Sequence, residues 1–180
     1  MLRKNTFILY PITILGLIAF TWPLYLPESN FFILRSENAK WLATIILPLA
    51  ILVFVLEINF GSLDSKSVAL LGVFTALISA LRLLGAGAIG IEPVWFLLIL
   101  IARVFGPSFG FTLGITSIFI SGLITGGVGP WLAFQMMAAG WVAMFAGLIP
   151  RKISGKAEIF ILCIYAAIAT QVFGILMDLQ

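Results

Sequence analysis

Residues 67–150 read SVALLGVFTALISALRLLGAGAIGIEPVWFLLILIARVFGPSFGFTLGITSIFISGLITGGVGPWLAFQMMAAGWVAMFAGLIP. Four apolar runs follow one another, broken by Gly/Pro-rich turns, with almost no charge inside them. In water such a chain aggregates through its exposed apolar surface. In a bilayer each run satisfies its own backbone hydrogen bonds as a helix. The stretch therefore predicts an all-α, polytopic membrane protein.

Composition points the same way. Hydrophobic residues make up 62% of the 180 and charged residues 9%, against roughly 45–50% and about 25% in soluble domains. A transmembrane barrel would show ~10-residue segments of alternating polarity, and none is present. The length holds about six or seven spans of ~20 residues. There are no histidines, which removes the commonest general base and metal ligand, so neither catalysis nor a resident metal or cofactor is expected. The lone Cys163 sits in an apolar run and reads as a small packing residue. Ten Lys and Arg give a net charge of +3 but are scattered at run ends, a pattern of membrane topology rather than nucleic-acid binding.

Working outward, residues 1–66 predict two N-terminal spans, Thr6–Leu26 and Trp41–Ile58, joined by the charged segment Pro27–Lys40. The first follows Arg3 and Lys4 but lacks a small-x-small cleavage pattern, so it reads as an uncleaved span. The remaining 67–180 form the core. Its first span, Ser67 to about Leu84, opens on a Ser cap and carries Gly72, Ala76 and Ala80 four residues apart. That stripe admits a second helix at close range, either within this chain or on another membrane protein. Gly85–Glu92 is a glycine-rich loop. Pro93–Phe105 is about 20 Å long as a helix, short of the ~30 Å hydrocarbon core, so it is either sheltered by neighbours or enters from the loop. Ser108–Thr125, with Gly106, Gly110 and Gly114 spaced by four, reads as an interior helix. Trp131–Ile149 carries its own stripe, Ala139, Ala143 and Gly147, and Ala157–Leu179 follows a basic turn.

With the N-terminus cytoplasmic, seven basic residues lie inside (Arg3, Lys4, Lys66, Arg103, Arg151, Lys152, Lys156) and three outside (Arg35, Lys40, Arg82). The excess favours that orientation. It places the loops GAGAIGIE and GGVGP together on the outer face, where Arg82, Gly87, Gly90, Glu92, Trp95, Trp131 and Gln135 would border a cup for a small molecule. Arg82 and Glu92 are near enough in sequence to pair, and charge at membrane depth points to function. The plainer alternative is that they anchor helix ends while Trp95 and Trp131 are belt aromatics. Gln135 needs a partner, a neighbouring helix or a ligand. Arg103 is accounted for by snorkelling or by the C-terminus of its short helix.

The Gly72/Ala76/Ala80 stripe, the segment from Gly90 to Pro150 and the basic turn RKISGK together resemble the substrate-binding S component of energy-coupling factor (ECF) vitamin transporters, as found in actinobacteria and related Gram-positive bacteria. The resemblance covers about Val68 to Met177. It implies a six-helix protein of the bacterial plasma membrane that captures a vitamin or related micronutrient, cobalamin or a precursor first, in an outward-facing cup. The partners it implies are a transmembrane coupling subunit and two ATPase subunits, with Gly72, Ala76 and Ala80 as the docking stripe, Gly85–Glu92 as the lid, and toppling in the bilayer as the transport step. Two departures stand out: the extra N-terminal spans, and an end at FGILMDLQ where similar proteins continue into another helix, so that either the last helix is missing or an N-terminal span takes its place. A membrane scaffold of the rod-shape-determining type shares the size and helix count and needs no pocket.

Overall fold

A computed structural model describes residues 9–20, 52, 64–85 and 92–178. Six helices are present among them and no strand: α1 (Leu9–Phe20), α2 (Ser65–Gly85), α3 (Pro93–Phe105), α4 (Pro107–Thr125), α5 (Pro130–Leu148) and α6 (Lys156–Asp178). Four segments, Ser65–Leu83, Pro107–Thr125, Trp131–Leu148 and Lys156–Asp178, are long and apolar enough to cross a bilayer. The protein is a helical membrane protein. The predicted span Trp41–Ile58 lies outside the described residues apart from Leu52, and Thr6–Leu26 is described over Leu9–Phe20 only.

Each junction is set by its punctuation. Asp64, not the predicted Ser67, caps α2: its Oδ1 accepts the Ser67 N–H at 2.9 Å, and the helix begins two residues early at Ser65. The shared Ser67 hydroxyl and amide hold the Asp64 carboxyl below its ordinary 3.8. Between α3 and α4 the chain reverses on one residue, Gly106 at φ 99°, a conformation that L side chains adopt only with strain. Pro107 then opens α4 where its missing N–H costs nothing.

The helices alternate in direction, so the bundle has two ends. The C-termini of α2 and α4 and the N-termini of α3 and α5 form one, here the Arg82 end. The N-termini of α2, α4 and α6 and the C-termini of α3 and α5 form the other, the Arg103 end.

At the centre α4 lies against α5. A Cβ on Gly114 would come within 2.6 Å of the Ala139 carbonyl oxygen, one on Gly110 within 2.9 Å of the Ala143 oxygen, and one on Gly147 within 2.5 Å of the Pro107 nitrogen. The two small-residue stripes predicted on these helices thus face each other backbone to backbone, and α4 is interior as expected. Lipid tails offer no hydrophobic drive between helices, so such close van der Waals contact is the main source of cohesion.

The other helices surround this pair. The short α3 is sheltered rather than inserted from its loop: Val94, Trp95, Leu98, Ile99, Ile101, Ala102 and Arg103 are all buried. At the Arg103 end Phe105 stacks on Phe109 at 4.6 Å and meets Phe74 of α2 at 5.7 Å. α6 reaches the bundle through Phe173, 4.5 Å from the Trp95 ring, and through the Tyr165 hydroxyl, which donates to the Val142 carbonyl. Most of its remaining surface is exposed, apolar and suited to lipid. Cys163 is on that surface, not in the packing role expected for it. α1 leans on α5, with Phe20 5.1 Å from both Phe134 and Trp141.

Candidate functional site at the Arg82 end

Spacing along α2 decides what faces α4. Thr75, Ser79 and Arg82 fall at i, i+4 and i+7, one stripe of an α-helix, and all three turn toward the bundle. Thr75 Oγ1 lies 2.9 Å from Thr116 Oγ1, and Ser79 Oγ donates to the Ser117 carbonyl at 3.1 Å. Arg82 Nη1 donates to Ser121 Oγ at 2.7 Å, with a longer 3.5 Å contact to the Ile118 carbonyl. A polar seam thus runs through an apolar bundle, from mid-helix to one turn below the Arg82 end. Helix–helix hydrogen bonds in bilayers are worth on the order of 0.6 kcal/mol each, so the seam sets register more than it supplies stability.

Arg82 also crosses to α5, where Nη2 donates to Gln135 Oε1 at 2.9 Å. The amide predicted to need a partner therefore finds it in the arginine, and α2, α4 and α5 meet at one guanidinium. The expected Arg82–Glu92 ion pair does not form. Glu92 Oε2 instead accepts the Trp95 indole N–H at 2.9 Å, and the one ion pair among the described residues is Arg103–Glu158. Glu92 still lies within Coulombic reach of Arg82. Nearness in sequence misled here: a carboxylate at the N-cap of α3 is satisfied locally by an indole one turn on.

The two tryptophans separate. Trp95 is 8% exposed, a buried anchor between Glu92 and Phe173, whereas Trp131 is 54% exposed and folds its ring over Gly129, as a belt aromatic does. Gly87 and Gly90, with the rest of 86–91, lie outside the described residues. The structure thus joins Arg82 directly to Gln135, adds Ser121, which was not among the residues expected at the cup, and sets Glu92 within Coulombic reach with Trp95 bonded to it. One further hydroxyl belongs to the neighbourhood. Ser117, one turn deeper than Ser121 on the same face of α4, is 1% exposed, and its Oγ has no hydrogen-bond partner.

The docking stripe occupies a different side of α2. Gly72, Ala76 and Ala80 are all exposed, and a Cβ built on Gly72 meets nothing within 4 Å. Packing against another described helix, one of the two readings of the stripe, is not observed.

The opposite end holds the second arginine of the core. Arg103 is 7% exposed; Nε bonds Glu158 Oε1 at 2.9 Å, Nη1 the Ile149 carbonyl at 3.0 Å, and Nη2 the Pro150 and Ile153 carbonyls at 3.3 Å. It does not snorkel to the surface but ties α3 to the α5–α6 turn. Its guanidinium, neutralised by Glu158 and with four of its five N–H donors engaged, is a structural clamp.

Comparison with protein-family models, with curated proteins and with solved structures returned no match.

Proposed function

We propose that the chain is a non-enzymatic, substrate-capturing membrane subunit of an ECF-type importer. It would take a vitamin or related micronutrient at the Arg82 end, facing outward, and pass it on with a coupling subunit and two ATPase subunits docked on the side of α2. The observation that carries this reading is the division of α2 into two faces. Thr75, Ser79 and Arg82 turn a polar edge into the bundle, while Gly72, Ala76 and Ala80 are exposed on an adjacent face that no described helix packs against. A helix that served packing alone would bury its small residues and carry no guanidinium at membrane depth, where charge is costly. Cobalamin or a precursor is the first ligand to test.

The test is equilibrium binding of a vitamin panel to the purified chain in nanodiscs. Saturable binding of one member supports capture. A chain that binds none of them, and co-purifies with no ATPase from its native membrane, would be better described as a scaffold.

A further inference from the structure

Resting on that reading, we infer that the ligand is a small organic anion, held through a carboxylate or phosphate by the free edge of the Arg82 guanidinium.

A guanidinium has five N–H donors and no acceptor. Among the described residues, three of Arg82's are used, on Ser121 Oγ, Gln135 Oε1 and the Ile118 carbonyl. All three acceptors are neutral. The donors left over are Nε–H and one on Nη2, neighbouring nitrogens of the kind that bind a carboxylate or phosphate in parallel. Among the described residues no acidic side chain pairs with this cation, and Glu92, the nearest carboxylate in sequence, is engaged by Trp95.

The comparison with Arg103 sharpens the point. That arginine, at the other end of the same bundle, has a carboxylate and three carbonyls. Had Arg82 a purely structural duty, a Glu at position 135 would serve it better than Gln, by adding the missing charge to the same hydrogen bond. A neutral amide holds the guanidinium in place and leaves its charge available. One turn deeper on α4, the buried Ser117 hydroxyl is a second polar group with no hydrogen-bond partner among the described residues. A lipid phosphate offers the same chemistry as a soluble carboxylate or phosphate, and the lipid composition of the test separates the two. A neutral corrinoid fits this chemistry less well than a smaller acid.

The experiment uses Gln135→Glu, which preserves shape and hydrogen bond while neutralising Arg82. Full-length protein in phosphatidylcholine nanodiscs is titrated with biotin, pantothenate and pyridoxal 5′-phosphate as anions, pyridoxine and cyanocobalamin as neutral probes, and thiamine as a cation. We expect an anion to bind, and Gln135→Glu to weaken it tenfold or more without lowering the thermal midpoint. A neutral or cationic probe that binds and is indifferent to Gln135→Glu overturns the anion assignment and leaves capture standing. Binding of no probe counts against capture and the anion alike. So does stabilisation seen only when phosphatidylglycerol is added to the discs.

Discussion

Arg103 Nε lies 2.9 Å from Glu158 Oε1, joining the last turn of α3 to the first of α6 across 55 residues of sequence. The pair closes the Arg103 end, and three backbone carbonyls share the buried guanidinium with a carboxylate that is 31% exposed.

Removing one partner leaves the other uncompensated. Arg103→Met, which takes the donor from three backbone carbonyls and a part-exposed carboxylate, is expected to cost about 1–3 kcal/mol, and the double variant Arg103→Met/Glu158→Met to recover the share owed to the ion pair. Thermal unfolding in detergent measures both. Equal loss in the single and double variants would show that the carbonyl contacts, not the ion pair, hold this end.

The α4–α5 contact gives a second expectation. Gly114→Ala places a methyl 2.6 Å from the Ala139 oxygen, and relief requires the helices to part, so a loss of about 1–3 kcal/mol is expected. Gly72→Ala, with open space around it, should leave the isolated protein's thermal midpoint unchanged. If both alanines behave alike, the backbone contact is not what binds the central pair.

Asp64 supplies a pH-dependent term outside the membrane. Its carboxyl is held below 3.8 by the Ser67 hydroxyl and amide. The folded state therefore gains from ionisation, a gain present above the ordinary carboxyl value and lost as pH falls through the lowered one. Asp64→Ala should be slightly less stable than the parent at neutral pH, and the gap should narrow as the pH falls and the carboxyl is protonated. A difference that does not change with pH would contradict the ionised cap.

Helix limits were legible because glycine and proline punctuate the apolar runs. Pro93–Phe105 was read at both ends, and the other core helices fell within about two residues. The interior place of α4 followed from Gly110 and Gly114, since small residues at that spacing have few uses besides close approach. Partnerships across helices were less legible. Arg82 was matched to Glu92, ten positions on, when its acceptors were Ser121 and Gln135 at separations of 39 and 53. Local spacing says which residues share a face but not which face of another helix meets it. Glu158 went unremarked as the partner of Arg103, although alternating helix directions bring the end of α3 and the start of α6 together. A buried arginine on a helix too short to reach the headgroups was the signal.

The central claim is that the two faces of α2 do separate work, one receiving a ligand and one receiving a partner. Its most direct test compares Gln135→Ala with Ala76→Trp in cells that carry the partner subunits, measuring both ligand binding to the purified chain and uptake of labelled vitamin. The account predicts that Gln135→Ala loses binding and uptake together, and that Ala76→Trp binds as the parent does yet transports nothing. Loss of binding in both variants, or unimpaired uptake by Ala76→Trp, would contradict it.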